Sequence, residues 1–189
     1  MRRLLPVVTA ALVLLVGCSA DDDPEPRIAP TDSSSAASTT APPPSPTGPV
    51  EPTLPAEAVG EDAAAAEAFV RFYWEMVNYA QATGDTDGLA TLEAANCRAC
   101  VGGRESIELT YRNGGSIAGG VSEVLSAEST RLAVTSGKAF RVVASVKSTP
   151  QIVRIPGEKE SRNEGGEYDF DFIVQFVDGW KVARWDVDL

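Results

Sequence analysis

The sequence predicts an α+β domain in which N-terminal helices pack on a curved antiparallel sheet. Apolar residues recur at three- and four-residue spacings as far as residue 112, which is typical of amphipathic helices. After Ser116 the apolar period changes to two, which is typical of strands. Near the C-terminus, Asp178-Gly179 separates two apolar runs and indicates a hairpin. Because helices precede strands instead of alternating with them, an α+β fold is favoured.

Three helices are predicted. The first covers residues 61–82 and stops at Gly84. Its wide apolar face carries Phe69, Val70, Tyr73, Met76, Val77 and Ala80. Asp85 or Asp87 is predicted to cap a shorter second helix. A third helical segment covers residues 103–112 and ends at a glycine pair.

The strands follow. Residues 121–134 are predicted as a strand with a break, and residues 138–148 as a cleanly alternating strand. Residues 151–155 are predicted to extend that strand past Pro150, as an edge or a bulge. Residues 156–166 are polar and are predicted to form a loop.

The C-terminal hairpin is predicted to close through a two-residue type I′ turn at Asp178-Gly179, which pairs Val177 with Trp180. This register places the large side chains opposite one another on one face, in the pairs Phe176/Lys181, Val174/Ala183, Phe172/Trp185 and Phe170/Val187. The other face then carries the pairs Gln175/Val182, Ile173/Arg184, Asp171/Asp186 and Asp169/Asp188. A slip of one residue would mix the two faces, so the segregation supports the register.

Composition restricts the chemistry. The 189 residues include three cysteines and no histidine, and the formal net charge is −11. Without imidazole, Ser-His-Asp or Cys-His hydrolysis and His-ligated metal sites are excluded. The excess of acidic groups opposes binding to a phosphate backbone, so nucleic acid is not an expected partner. No metal or other cofactor is predicted.

Residues 1–17 have the features of a lipoprotein signal peptide. Arg2 and Arg3 precede an apolar run of 13 residues, shorter than the ~20 residues needed to cross a bilayer. The run ends in Leu15-Val16-Gly17-Cys18, which resembles the bacterial lipobox. Cys18 is therefore predicted to become the lipidated first residue of the mature chain, held at the membrane by acyl groups such as palmitate.

Residues 18–59 are predicted to be a disordered tether between that anchor and a globular domain at residues 60–189. Ten of the thirteen prolines fall between Pro24 and Pro55, among many serines and threonines. Such a composition cannot bury enough apolar surface to offset chain entropy. The same serines and threonines would accept O-glycosylation.

Cys97 and Cys100 have the CxxC spacing. With Cys18 carrying lipid, one cysteine pair is left in an oxidising compartment, so a structural disulfide is the favoured interpretation. Redox catalysis is the alternative, but no strand is predicted before the motif, whereas redox CxxC motifs follow a strand at a helix N-terminus.

Two further clusters are candidate sites. The acidic pairs of the hairpin would repel one another unless Arg141, Arg184 or Lys147 lies beside them or a hard cation binds there. We favour the basic partners. Aromatic side chains could instead line a pocket, and the residues predicted for it are Phe69, Tyr73, Trp74, Tyr111, Phe172 and Trp185.

Several short segments carry a family resemblance: Pro52-Thr-Leu-Pro55, Ala68-Phe-Val-Arg-Phe-Tyr-Trp74, Asn78-Tyr-Ala80, Thr83-Gly-Asp85 and Cys97-Arg-Ala-Cys100. They resemble a family of actinobacterial lipoproteins of unknown function. The terminal hairpin, Asp178-Gly-Trp-Lys-Val-Ala-Arg-Trp185, is similar to the last strands of the nuclear transport factor 2-like (cystatin-like) cone. The resemblance implies a fold and a location in the cell envelope, and it implies no known activity.

The favoured function is that of an extracytoplasmic, lipid-anchored accessory module, without catalysis, which binds an envelope protein or a small apolar ligand. The alternative is a small isomerase or lyase in the cone pocket. Ketosteroid-isomerase-like enzymes share that fold and use an Asp base with a Tyr donor, which needs no histidine. A third interpretation is a structural partner of an envelope complex. No catalytic residue is assigned.

Overall fold

The computed structural model describes residues 48–188, and the side chain of Asp188 is outside that description. The predicted signal peptide at residues 1–17, the lipidation site Cys18 and the tether as far as residue 47 lie outside the described residues. The helical elements are a short 3-10 helix at Ala56–Ala58, α1 at Ala63–Thr83, α2 at Asp87–Thr91 and α3 at Arg98–Arg112. The strands are β1 Ser116–Gly119, β2 Ser122–Leu132, β3 Lys138–Ser148, β4 Gln151–Arg154, β5 Ser161–Asn163, β6 Gly166–Phe176 and β7 Trp180–Asp188.

The predicted α+β class is confirmed, but the strands form two antiparallel sheets. The larger sheet has the order β2-β3-β6-β7, and the smaller has the order β1-β4-β5. Gly119 and Gly120 both have a φ of 72°, and the Gly120 N–H donates to the Pro150 carbonyl at 3.0 Å. At this point the chain leaves one sheet for the other, so β4 pairs with β1 and does not extend β3.

Helix α1 begins and ends where its sequence predicts. The Asp62 carboxylate accepts the Ala65 N–H at 2.9 Å, and Gly84 closes the helix in the left-handed region with a φ of 79°. The apolar face of α1 packs on the larger sheet, where Phe69 stacks on Trp180 with ring centroids 5.8 Å apart. Asn78 fixes the contact, because its amide exchanges two hydrogen bonds with the backbone of Ser122.

Four details of the predicted elements are wrong: one helix cap, one helix start and two missed strands. Thr86, and not Asp85 or Asp87, occupies the N-cap position of α2, and it makes no side-chain capping bond there. Helix α3 begins at Arg98, five residues before the predicted start at 103, because Cys97 provides its N-cap. The segment predicted as a polar loop contains β5, and β1 was not predicted at all. Both strands are too short for a two-residue period to identify them.

The end of the segment predicted as tether contacts the folded domain. The 3-10 helix at Ala56–Ala58 packs on α1, and Ala58 is fully buried in the core. The Trp180 indole N–H donates to the Gly60 carbonyl at 2.9 Å. This bond holds the segment that leads into α1 against the sheet. The folded unit therefore begins before residue 60. Among the described residues, no helix is both long and apolar enough to cross a membrane.

The hairpin register is half right. Near the turn, Phe176 pairs with Trp180 and Val174 with Val182, so the loop has three residues and not the predicted two. Beyond Ile173 the observed pairs are the predicted ones, including Phe172 with Trp185 and the two acidic pairs. A bulge at Ala183 connects the two halves and offsets the longer loop by one residue.

The bulge has a physical reason in the burial of β7. Trp180 and Val182 near the turn are 5% and 0% exposed, so both must face the helices. Trp185 also packs against the core, three residues after Val182. A regular strand would place Val182 and Trp185 on opposite faces, because side chains alternate with a period of two. One extra residue at Ala183 resolves this conflict.

The bulge and the loop can be tested by two single-residue deletions. Deleting Ala183 should turn Trp180 and Val182 away from the core and cost at least ~3 kcal/mol of unfolding free energy, since each buried side chain contributes ~1.5–3 kcal/mol. Deleting Val177, which is exposed, should leave a two-residue Asp178-Gly179 loop with both φ angles already positive, and should cost less than ~1 kcal/mol. Urea unfolding of the two variants measures the difference, and equal losses would contradict the assigned bulge.

Candidate functional site

A cavity of about 660 Å³ lies between α1, α3 and strands of both sheets. Its wall is mainly apolar and aromatic, and the largest contributors are Tyr73, Trp74, Val77, Leu89, Ile107, Ile117, Val153, Tyr168, Phe170, Trp185 and Val187. Arg104 is the only charged residue among the described residues of the wall. The size and the apolar lining are those of a site for a small molecule.

The structure divides the six predicted pocket residues into two groups. Tyr73, Trp74 and Trp185 line the cavity. Phe69 and Phe172 are fully buried core residues, and Phe172 packs edge-on against Tyr73 with centroids 6.0 Å apart. Tyr111 is also used structurally, because its hydroxyl donates to the Gln81 carbonyl at 2.6 Å.

Most polar side chains in the wall are already occupied by protein partners. Gln151 donates to the Gln81 side chain at 2.6 Å, and the Ser122 and Ser148 hydroxyls are 2.8 Å apart. The Tyr168 hydroxyl donates to the Gly165 carbonyl at 3.1 Å. Other polar groups of the described wall keep hydrogen-bonding capacity. They include the Tyr73 hydroxyl, the Arg104 guanidinium, and the indole N–H groups of Trp74 and Trp185, which are buried without a partner.

Arg104 is held by two carboxylates. Its Nε donates to Glu93 Oε2 at 3.1 Å, and its Nη1 donates to Glu108 Oε1 at 2.6 Å. Glu108 also accepts from the Thr86 hydroxyl at 3.0 Å. These contacts raise the pKa of Arg104, with the Glu93 hydrogen bond as the largest cause, and lower the pKa of Glu108, with the Arg104 hydrogen bond as the largest cause. The guanidinium is therefore charged and fixed in orientation.

Glu93 was not identified from the sequence as a candidate site residue. Its side chain is only 4% exposed, and its Oε1 has no hydrogen-bond partner. Burial raises the pKa of Glu93 in spite of Arg104, which acts in the opposite direction. The carboxylate is half satisfied: one oxygen is bonded to a cation, and the other is buried without a donor.

Tyr73 lines the cavity and is close enough to Glu93 for the carboxylate charge to act on its hydroxyl. Its side chain is almost fully buried, and burial followed by the negative charge of Glu93 raises its pKa far above the usual range. The Trp185 indole acts in the opposite direction as a nearby donor, although its Nε1 is buried without a partner at full hydrogen-bond geometry. The hydroxyl is therefore a neutral donor at all physiological pH values.

The backbone of β7 places Glu93 in this position. Glu93 forms a parallel bridge with Val182, where the Ala94 N–H donates to the Val182 carbonyl at 2.9 Å and the Val182 N–H donates to the Leu92 carbonyl at 2.8 Å. The bridge joins two residues, Glu93 and Val182, that are 89 positions apart in the sequence. In the sequence, the one sign that the segment after α2 is buried is the presence of apolar residues on both sides of Glu93.

Cys97 and Cys100 form a disulfide with Cα atoms 5.3 Å apart. Cys97 occupies the N-cap of α3, where its sulfur accepts the Cys100 N–H at 3.3 Å, and the segment before it bridges to β7. The motif therefore lies at a helix N-terminus, but a turn precedes it, in which the Cys97 N–H donates to the Ala94 carbonyl at 2.9 Å, and not the strand of a redox motif. Both cysteines are at most 2% exposed, which restricts access to the sulfurs and favours the structural interpretation.

The acidic face of the hairpin has basic partners. Arg141 forms a bidentate pair with Asp171, with Nη2 and Oδ2 2.7 Å apart, and Arg184 lies 2.9 Å from Asp186. Two of the three bases proposed from the sequence are therefore beside the acids. In the described part of the chain, no group of three or more potential ligand side chains could hold a metal ion.

A family model described as a family of unknown function (DUF6318) matches residues 36–188. The chain belongs to this family. No curated protein sequence matches the chain. Among solved structures, the chain is similar to the intermembrane space region of the chloroplast protein ARC6, with 14% sequence identity, a TM-score of 0.48, and coverage of 67% of this chain and 95% of that one. For this member of the DUF6318 family, function must therefore be argued from the site.

The opposed pKa shifts of Glu93 and Glu108 give a prediction for pH dependence. The lowered pKa of Glu108 stabilises the fold above its unfolded value, and this contribution is lost as the pH falls. The raised pKa of Glu93 acts in the opposite sense, because the folded state takes up its proton more readily and gains stability on acidification.

Glu93→Gln should therefore steepen the loss of stability between pH 7 and pH 4, and Glu108→Gln should flatten it. Urea midpoints of the two variants and the wild type, measured at several pH values, test this. Parallel curves for Glu93→Gln and the wild type would show that Glu93 has an ordinary pKa.

Proposed function

We propose that this protein is an extracytoplasmic lipoprotein whose domain binds a small, mainly apolar ligand without catalysis. The observation that carries the proposal is the cavity of about 660 Å³, which falls within the ~300–1,000 Å³ usual for small-molecule sites. Aromatic rings form much of its wall, and such rings give a large contact area at a low entropic cost. Because protein interiors are close-packed, folding alone does not require a space of this size.

The proposed location rests on the N-terminal sequence and on the disulfide. Disulfides persist in oxidising compartments and are rare in a reducing cytosol, so the Cys97–Cys100 bond supports export. The lipobox resemblance at Cys18 adds an anchor carrying acyl groups such as palmitate, and the proline-rich segment after it adds distance from the membrane. An actinobacterial envelope is the proposed setting.

The proposed fold family is the nuclear transport factor 2-like cone. Its support is the order of elements, with a long first helix laid across an antiparallel sheet and a C-terminal hairpin that completes that sheet. In a cone, a pocket opens between the first helix and the sheet. The cavity next to Tyr73 and Trp185 has this position.

A small isomerase or lyase is the second candidate, and one observation favours it. Glu93 is a buried carboxylate with a raised pKa, and its charge acts on the Tyr73 hydroxyl. Two observations oppose it. Glu93 is bonded to Arg104, which lowers its basicity, and Glu93 is not among the described residues of the cavity wall. Binding without catalysis is therefore the better supported function.

The anchor can be tested by one substitution. Cys18→Ser removes the thiol that lipid transfer requires, so the variant should incorporate no labelled palmitate. Wild-type protein in the same cells should incorporate it and fractionate with the membrane. Labelling of the serine variant at the wild-type level would contradict the proposed lipidation site.

The ligand site can be tested by filling the cavity from one glycine. Gly103 lines the cavity, and a Cβ placed on it meets nothing within 4 Å. Gly103→Leu should lower the affinity for the uncharged fluorescent probe N-phenyl-1-naphthylamine by about tenfold or more. Gly102→Leu is the matched control, because Gly102 has equally open surroundings and is not part of the described cavity wall.

Both leucine variants should gain up to ~1 kcal/mol of helix stability, since glycine is unfavourable inside a helix. The unit Pro44–Leu189 contains the whole described core and is compact by itself, so it suffices for the measurement. Equal probe affinities for the two variants would show that the probe binds elsewhere.

A further inference from the structure

We infer that the ligand of the cavity is an uncharged amphiphile with an apolar body and one carbonyl-type oxygen, which accepts hydrogen bonds from Tyr73 and Arg104. This inference rests on the proposed function and adds a ligand class to it. Three properties of the wall lead to it: its apolar area, the distribution of charge around Arg104, and the identity of the polar groups left without a full set of partners.

The apolar area comes first. The rings of Trp74, Phe170 and Trp185 form one aromatic surface, with the Trp74 and Phe170 centroids 4.9 Å apart and the Phe170 and Trp185 centroids 5.6 Å apart. Val77 and Ile107 continue this surface on α1 and α3. A ligand that covers it must be apolar over most of its length, because a polar group placed there would lose water without gaining a partner.

The charged side chains at the wall disfavour both anionic and cationic ligands. Glu93, Arg104, Glu108 and Arg112 form a series of ion pairs with no net charge, so an anion would lose its hydration without a net Coulomb gain. A cation is disfavoured as well, because the two carboxylates are turned towards Arg104, and Arg104 is the charged residue on the wall itself. An uncharged ligand incurs neither penalty.

The spare groups at Tyr73, Arg104, Trp74 and Trp185 are all donors. Arg104 uses two of its five N–H groups on Glu93 and Glu108, so others remain for a ligand. Among the described residues, no acceptor takes the proton of the Tyr73 hydroxyl, and the neighbouring Trp185 indole can only donate. The ligand must therefore supply an acceptor. A carbonyl oxygen with its two lone pairs can accept from both Tyr73 and Arg104.

The neighbouring polar side chains exclude a more polar ligand. Ser122 is bonded to Ser148, and Gln81 to Gln151. A sugar or a peptide with many donors would have to break these contacts. One acceptor on an otherwise apolar molecule uses the groups that are spare and disturbs none of the others.

The experiment compares three twelve-carbon probes on the unit Pro44–Leu189, below their critical micelle concentrations. Methyl dodecanoate, dodecanoate and dodecylammonium each displace N-phenyl-1-naphthylamine, and the midpoints are compared at pH 7.5. The ester should displace the probe at a concentration about tenfold lower than either ion. An ion that binds as tightly as the ester, or more tightly, overturns the inference.

Tyr73→Phe provides the residue-level test. Loss of one hydrogen-bond donor should weaken binding of methyl dodecanoate by about threefold to tenfold and leave N-phenyl-1-naphthylamine within about twofold. Tyr168→Phe is the matched control, because its hydroxyl also lies at the cavity but donates to the Gly165 carbonyl. Equal ester affinities for the two phenylalanine variants would overturn the role of Tyr73.

The two levels of the proposal fail in different ways. If wild-type protein fails to bind N-phenyl-1-naphthylamine and all three twelve-carbon probes, the proposed binding function itself is overturned. If the probes bind with no preference for the ester, the binding function stands and the ligand class is wrong. A far-ultraviolet circular dichroism melt of each variant separates either result from unfolding.

Discussion

The structure depends on the burial of Val182, which is held from two sides. In the sheet it pairs with Val174, and on its free edge its backbone exchanges two hydrogen bonds with the segment Leu92–Ala94. Its side chain is fully buried. These contacts can coexist only because β7 bulges at Ala183, which lets the strand present Val182 and then Trp185 to the same core.

The site follows from that constraint. When the segment after α2 docks on Val182, it carries Glu93 into the interior next to Tyr73, and Glu93 in turn fixes Arg104 on α3. A single buried acid would be costly, so the acid and the base are retained together. The result is an apolar cavity with neutral donors and one charged donor on its wall. In the proposed function, such a wall selects a ligand by one acceptor and by shape.

Local sequence patterns predicted the features that depend on interactions between residues close in sequence, such as helix limits and strand alternation. The limits of α1 follow from Asp62 and Gly84, and the alternation of β3 follows from a two-residue period, and both were predicted well. The hairpin register was right only beyond the bulge, since the turn motif alone could not reveal that Val182 is needed inside. Glu93 was missed because its burial depends on a bridge between distant segments. Three of the six aromatics predicted for the pocket line it, and the others fill the core, a distinction that depends on side-chain packing.

Native mass spectrometry of the protein purified from its own envelope tests the central claim most directly. We expect wild-type protein to retain an uncharged molecule of a few hundred daltons, about the size that a cavity of some 660 Å³ accepts. Gly103→Leu protein purified in parallel should carry none, and Gly102→Leu protein should retain it. Wild-type protein that appears only at the mass of its own polypeptide with its covalent modifications would contradict the claim that this cavity is a ligand site.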